Sequence, residues 1–146
     1  MTEDENKRLT RVGTGTPMGE LLRRYWHAIS TTVDLDEEPV RRVRVLGENL
    51  TLFRSESGEL GLIGERCPHR GVDLEFGIPD AKGLRCPYHG WLFDKLGRCL
   101  EIPFDDRIRA NTLGHERMNI AGYPVQELGG LIYAYLGPQP APLLPR

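Results

Sequence analysis

The fold of this chain is decided by two short segments, CPHRG at residues 67–71 and CPYHGW at residues 86–91. Each segment places one cysteine and one histidine on the same short stretch of chain, and sixteen residues separate the histidine of the first from the cysteine of the second. Thiolates and imidazoles are both ligands for transition metals. The two segments together predict one metal centre. Its four predicted ligands are Cys67, His69, Cys86 and His89.

The residues beside these ligands suit loops that hold a metal centre. Pro68 and Pro87 follow the two cysteines and stiffen the chain, because the proline ring fixes φ. Gly71 and Gly90 permit tight turns that direct backbone amides at the sulfur atoms. The prediction depends on the pair of segments, since either one alone is a weak indication.

The donor set matches a [2Fe–2S] cluster in which two thiolates bind one iron and two imidazoles bind the other. Neutral imidazoles replace two anionic ligands and raise the potential of the iron that is reduced. One alternative is a structural zinc site, because zinc also accepts two thiolates and two imidazoles. The usual spacing of about two to four residues between zinc-binding cysteines is missing, however. A second alternative is simple burial of all four side chains, but burial alone does not explain why a cysteine and a histidine occur together in both segments.

The two segments resemble the two boxes of Rieske proteins, and the second is similar to that of bacterial aromatic-ring-hydroxylating oxygenases. Respiratory Rieske proteins carry an extra cysteine in each box, whereas Val72 and Tyr88 stand at those positions here. The resemblance implies the Rieske iron–sulfur fold, a small antiparallel β-sandwich with cluster-binding loops and a short N-terminal helix. The missing cysteines favour the lower end of the Rieske potential range, about −150 mV rather than about +300 mV.

This resemblance extends along most of the chain. Residues 12–26, 123–125 and 129–138 are similar to segments of phthalate dioxygenase-like oxygenase subunits. It implies three partners: a reductase that supplies electrons, a catalytic domain with mononuclear ferrous iron in the same polypeptide, and neighbouring subunits. The sequence ends at Arg146 before any such domain, so we expect a fragment of a longer oxygenase.

The hydrophobic pattern predicts a mainly β fold. Thr16 followed by Pro17 predicts the start of one short helix, with apolar residues at helical spacing as far as Ile29. From Val40 onward, alternating apolar and polar residues predict a meander of short antiparallel strands. The predicted turns and hairpin loops lie at residues 47–49, 57–58, 94–97 and 129–130, and residues 75–82 are expected to be irregular.

We divide the chain into three parts on this basis. Residues 1–32 form an N-terminal arm with the short helix, residues 33–137 form the Rieske domain, and residues 138–146 form a Pro-rich tail or a linker. The third cysteine, Cys99, lies in a strand-like run and is expected to be a small buried hydrophobe.

Composition excludes two classes of partner. The formal net charge is −2 and 27% of the residues are charged, so no basic stripe indicates binding to nucleic acid. The uncharged stretch at residues 128–145 contains four prolines and does not suit a membrane-spanning helix. The first ten residues lack an apolar h-region, so we expect no secretory signal and a cytoplasmic location.

The remaining histidines do not form a second iron site. A mononuclear iron of the oxygenase type needs two histidines and a carboxylate. Of the four histidines, only His27 and His115 lie outside the two segments, and they are far apart in the sequence. We expect His27 at the end of the helix and His115 in a polar loop, with no catalytic residue for oxygen chemistry in this chain.

We therefore interpret the chain as the Rieske [2Fe–2S] electron-transfer domain of an aromatic-ring-hydroxylating oxygenase. In this interpretation it passes electrons from a reductase to a mononuclear non-haem iron outside the chain, and it is a component of a dioxygenase or monooxygenase rather than the complete enzyme. The alternative is a standalone Rieske-type ferredoxin. The N-terminal arm and the Pro-rich end favour the first interpretation.

Overall fold

A computed structural model describes residues 1–103 and 116–145, and short antiparallel strands dominate this part of the chain. The helices are α1 Glu3–Thr10, α2 Pro17–Leu22 and α3 Thr32–Glu37, with 3-10 turns at Leu74–Phe76 and Glu116–Met118. The strands are β1 Trp26–Thr31, β2 Val40–Val45, β3 Glu48–Arg54, β4 Leu60–Gly64, β5 Ile78–Asp80, β6 Gly83–Arg85, β7 Leu92–Phe93, β8 Cys99–Glu101, β9 Gly122–Tyr123, β10 Val125–Leu128 and β11 Leu131–Tyr135. The predicted mainly β fold is confirmed.

The described strands form three antiparallel sheets. The terminal sheet has the order β1-β11-β10, the central sheet β2-β3-β4-β9, and the site sheet β5-β6-β7-β8. Consecutive strands are neighbours in most of these pairs, because short turns join them. The site sheet therefore contains the strands on either side of the second predicted loop.

The central sheet is buried on both of its faces. Leu52 and Leu62 pack in one core together with Ile132 of the terminal sheet. Their neighbours Phe53 and Ile63 point to the opposite face and pack in a second core, which contains the site sheet. Successive side chains of a strand alternate between faces, so two adjacent apolar residues serve two different cores. Full burial of each such side chain contributes about 1.5–3 kcal/mol.

The predicted N-terminal helix begins where the sequence indicates. The Thr16 hydroxyl accepts a hydrogen bond from the Gly19 N–H at 3.2 Å, and Pro17 occupies the first turn. The helix ends at Leu22, so the prediction of helical structure as far as Ile29 is wrong. The chain instead continues as β1, whose backbone groups pair with those of β11.

Other predicted elements need smaller corrections. The helices α1 and α3 were not predicted, although each begins with a threonine cap and a capping box. The first hairpin turns at Leu46 and Gly47 rather than at residues 47–49. Residues 75–82 are not irregular, since they include most of a 3-10 turn and the whole of β5. The hairpins β7-β8 and β10-β11 are confirmed.

Side-chain contacts tie both ends of the described chain to the sheets. Glu48 on β3 accepts hydrogen bonds from Arg23 and, at 2.6 Å, from the Tyr123 hydroxyl on β9. At the other end, the Trp26 indole N–H donates to the Pro142 carbonyl at 3.0 Å. The tail beyond β11 therefore contacts β1. Among the described residues, no helix combines the length and apolar character needed to cross a bilayer.

Candidate functional site

The first site loop, residues 66–73, connects β4 to the 3-10 turn that begins at Leu74. It is closed by two backbone hydrogen bonds: the Cys67 N–H donates to the Val72 carbonyl at 2.9 Å, and the Gly71 N–H donates to the Cys67 carbonyl at 2.9 Å. An isolated bridge between Arg66 and Asp73 joins the two ends of the loop. The local backbone thus holds the cysteine at the base of a narrow turn.

The second site loop, residues 85–91, repeats this geometry between β6 and β7. The Cys86 N–H donates to the Trp91 carbonyl at 2.8 Å, and the Gly90 N–H donates to the Cys86 carbonyl at 3.0 Å. Gly71 and Gly90 occupy equivalent places, with φ of +69° and +77°. Because an L side chain is strained there, the predicted need for glycine is confirmed.

The two loops place their thiols inside the protein and their imidazoles at its surface. Cys67 and Cys86 are 1% and 3% exposed and belong to the core beneath the site sheet. His69 and His89 are both exposed, and the centroids of their rings lie 4.5 Å apart. The structure therefore brings the histidines of the two segments together, with the buried cysteines at the base of the same two loops.

The protonation of these groups reflects their surroundings. Burial raises the pKa of the Cys67 thiol to about 11, the His69 backbone N–H lowers it by hydrogen bonding, and the neighbouring Cys86 raises it. A metal must displace that proton to bind the thiolate. The pKa of His69 lies below its usual range because of desolvation first and then the charges of His89 and Arg70. A lowered pKa favours the neutral imidazole, which is the form that binds a metal.

Aromatic side chains hold both imidazoles. Trp91 is 8% exposed, and its ring stacks on that of His69 at a centroid distance of 4.9 Å. Tyr88 is 61% exposed and packs against His89 at 3.9 Å between centroids. Each imidazole thus has an aromatic neighbour from the second site loop, one in the interior and one at the surface.

Sequence reasoning missed the arginine that precedes each cysteine. Arg66 donates from Nη1 to the Gly71 carbonyl at 3.1 Å, and Arg85 donates from Nη1 to the Gly90 carbonyl at 2.8 Å. The signal was present as an Arg-Cys-Pro tripeptide at residues 66–68 and again at residues 85–87. Each arginine therefore stabilises its own loop through a hydrogen bond to the carbonyl of the loop glycine.

The remaining cysteine and histidines lie apart from this arrangement or outside the described residues. Cys99 is buried as predicted, and burial raises the pKa of its thiol to about 11. His27 lies on β1, not at a helix end, with its Nε2 2.8 Å from the Leu22 carbonyl oxygen. His115 lies outside the described residues. No group of three or more His, Cys, Asp or Glu side chains in residues 1–103 and 116–145 is arranged as a site for one metal ion.

The family model of the Rieske [2Fe-2S] domain matches residues 25–124 of this chain. The chain belongs to the Rieske [2Fe–2S] domain family. Both site loops lie within the matched residues, as does every strand of the central and site sheets. The family carries the [2Fe–2S] cluster named in its description, so the predicted type of cofactor is supported.

Relatives of this Rieske domain include subunits of oxygenases. The chain is 48% identical over 145 residues to the 5,5'-dehydrodivanillate O-demethylase oxygenase subunit of Sphingobium sp., covering 99% of the chain and 34% of that protein. It is 38% identical over 144 residues to the phthalate 4,5-dioxygenase oxygenase subunit of Pseudomonas putida, covering 97% and 32%. The expected likeness to phthalate dioxygenase is confirmed. The chain spans about a third of the length of these curated relatives.

A solved structure shares the fold. It is the reduced complex between oxygenase and ferredoxin in carbazole 1,9a-dioxygenase, and its matching chain is 28% identical with a TM-score of 0.66. The match covers 83% of this chain and 30% of the other. The Rieske fold that the two Cys/His segments imply is therefore confirmed.

Proposed function

We propose that Cys67, His69, Cys86 and His89 bind one [2Fe–2S] cluster and that the domain is a one-electron relay. The observation that carries this proposal is the meeting of the two site loops, whose imidazole centroids lie 4.5 Å apart above a pair of buried cysteines. Each loop contributes one donor of each type. The proposed donor set is therefore divided into a buried sulfur side and an exposed nitrogen side.

The residues fit this cluster better than a single zinc ion. Each iron of a Rieske cluster takes two protein ligands, whereas a structural zinc takes four around one point. The described residues provide pairs of donors but no group of three arranged for one ion. The backbone N–H of His69, which hydrogen-bonds to the Cys67 sulfur, is a further contribution, because such bonds tune the potential of a cluster.

The chain's own residues would place the redox group close to the surface. When bound, the cluster supplies reversible one-electron chemistry. The exposed edges of His69 and His89 are the part of the site that a partner can approach, whereas Cys67 and Cys86 are shielded by the core. Trp91 and Tyr88 pack against the imidazoles and keep their rings in place. Electrons would then enter and leave on the histidine side.

The parent protein is proposed to be an oxygenase of the phthalate dioxygenase type. This is supported by relatives that are oxygenase subunits, of which this chain covers about a third, and by an oxygenase–ferredoxin complex among similar structures. The mononuclear iron would then lie outside this chain, in cis or in a neighbouring subunit, with a reductase as the electron donor. A standalone ferredoxin is the less supported alternative. Three free thiols suit the reducing cytoplasm, which we propose as the location.

The direct test is the metal content and spectrum of the purified chain. We expect two irons and two acid-labile sulfides per chain and, after reduction with dithionite, an EPR spectrum of the Rieske type. A chain reconstituted anaerobically with iron and sulfide is compared with one offered zinc alone. Stoichiometric zinc that excludes iron would contradict the proposal.

A further inference from the structure

We propose that Arg85 is a positioning residue for the proposed cluster ligand His89. Arg66, which stands at the same place in the first site loop, does not have this role. The proposal rests on the proposed cluster function and names a residue that acts on the ligand through the backbone. Arg85 stands on β6 at the entrance of the second site loop. Its guanidinium bonds to the loop and to both edge strands of the site sheet.

The Arg85 guanidinium donates four hydrogen bonds to three residues, and we call this set of bonds the fork. Its Nη1 donates to the Gly90 carbonyl at 2.8 Å. Its Nη2 donates to Asp80 on β5 at 2.9 Å and to Glu101 on β8 at 3.0 Å, and its Nε donates to Asp80 at 3.3 Å. Because β5 and β8 are the two edges of the site sheet, one side chain ties the loop to the full width of that sheet.

The equivalent arginine of the first site loop is held far less firmly. Arg66 also donates to a glycine carbonyl, that of Gly71, at 3.1 Å. Its carboxylate partners Glu65 and Asp73 lie 3.7 and 3.9 Å away, beyond hydrogen-bond distance. The side chain of Arg66 is 60% exposed, whereas that of Arg85 is 27% exposed. Exposed ion pairs of this kind contribute little to stability. Arg66 is therefore an internal control for Arg85.

The Gly90 carbonyl is the point at which the fork acts on the site. Gly90 lies between His89, a proposed ligand, and Trp91, whose ring stacks on His69. The Gly90 N–H is held by the Cys86 carbonyl at 3.0 Å and the Gly90 carbonyl by Arg85 at 2.8 Å, so the peptide groups on both sides of this residue have fixed directions. Fixing the Gly90–Trp91 peptide orients Trp91 directly and restrains His89 through the single intervening residue, Gly90. A lysine cannot replace the fork, because one ammonium group does not match three acceptors in fixed directions.

The experiment compares Arg85→Gln and Arg85→Lys with Arg66→Gln and Arg66→Lys in the cluster-loaded chain. We measure iron per chain, the rate of iron loss to a chelator, the EPR g-values, the nitrogen hyperfine couplings of the two imidazoles, and the midpoint potential. For both Arg85 variants we expect loss of iron faster by about tenfold or more, with altered g-values and an altered coupling from one imidazole. The Arg66 variants should stay close to the parent in every measurement.

The outcomes separate the positioning role from general stability. Parent-like spectra, potential and iron retention in Arg85→Gln, or equal changes in Arg66→Gln, would overturn the proposal. If Arg85→Gln does not fold, Arg85→Lys carries the test, because it keeps the positive charge but not the fixed directions of the guanidinium donors; altered imidazole couplings support the proposal and unaltered ones overturn it. A parent chain that takes up no iron and sulfide would instead overturn the proposed function itself.

Discussion

The indole ring of Trp91 lies parallel to the imidazole of His69, with their planes 6° apart and their centroids 4.9 Å apart. Trp91 ends the second site loop, whereas His69 stands in the first. One loop therefore supports the proposed ligand of the other. The two Cys/His segments thus form a single structural unit, and damage to either is expected to affect both.

Replacing Trp91 tests this link. In Trp91→Leu we expect a lower melting temperature and lower iron content, because the interior packing and the stack on His69 are both lost. Trp91→Phe keeps an aromatic ring and should retain more of each. An aromatic pair contributes about 0.5–1.5 kcal/mol beyond the area it buries, which sets the expected difference between the two variants. Equal stability and iron content in both would show that stacking on His69 has no role.

Changing a proposed histidine ligand to cysteine should lower the reduction potential. His69→Cys or His89→Cys adds a third thiolate, and an anionic ligand stabilises the oxidised cluster. The potential is expected to move from the Rieske range toward the value of about −400 mV found with four thiolates. Potentiometric titration followed by EPR measures the shift. A fully assembled variant with an unchanged potential would remove that histidine from the ligand set, and Tyr88→Phe is the control for changes beside the ligands.

Removing one thiolate should release the cluster and weaken the domain. Cys86→Ser is expected to lose iron and to melt at a lower temperature, because metal binding and folding are coupled. Cys99→Ser is the matched control: Cys99 is also buried, at 5% exposure, but is not a proposed ligand. It should keep two irons per chain and change stability alone. Full iron content in Cys86→Ser would exclude Cys86 as a ligand.

Tyr123 predicts an alkaline limit to stability. Burial first, and then its hydrogen bond to Glu48, raise the pKa of Tyr123 to about 12, against about 10 in an unfolded chain. Above pH of about 10 the unfolded state loses this proton while the folded state keeps it, so stability is full below that pH and falls as the pH rises toward 12. We expect denaturant melts of Tyr123→Phe to show a shallower alkaline decline.

The same substitution also has a cost at neutral pH. It removes the 2.6 Å hydrogen bond to Glu48 and leaves that carboxylate with one donor fewer, at a cost of about 1–3 kcal/mol. Tyr25→Phe, at an exposed tyrosine, is the control and should reproduce the parent curve. An identical alkaline slope in Tyr123→Phe and the parent would contradict the assigned role.

Electron uptake and oxygen chemistry should be separable in this chain. With reductase, NADH, ferrous iron, dioxygen and a panel of aromatic acids, we expect reduction of the cluster by absorbance and no hydroxylated product by chromatography. Two of its four histidines are proposed cluster ligands, and His27 is bound to the Leu22 carbonyl. Turnover-level product that disappears in His115→Ala would reveal a second iron site.

The sequence alone was sufficient where the determining interactions are local. The two Cys/His segments predict the two tight loops, because prolines and glycines within five or six residues specify such turns. The start of α2 at Thr16 follows from a hydrogen bond to a residue three positions away. The hairpin across Gly129 and Gly130 likewise follows from its own turn.

Only the tertiary structure decided features that depend on distant partners. The apolar spacing of residues 21–29 fits a helix, yet Trp26–Thr31 forms a strand because β11 supplies its hydrogen bonds from about a hundred residues away. The fork from Arg85 to Asp80 and Glu101 requires β5 and β8, the two edges of the site sheet, to lie on either side of β6 and β7. The stack of Trp91 on His69 requires both loops to meet. Such contacts arise when burial of two cores packs the sheets together, and no periodicity within a single segment encodes them.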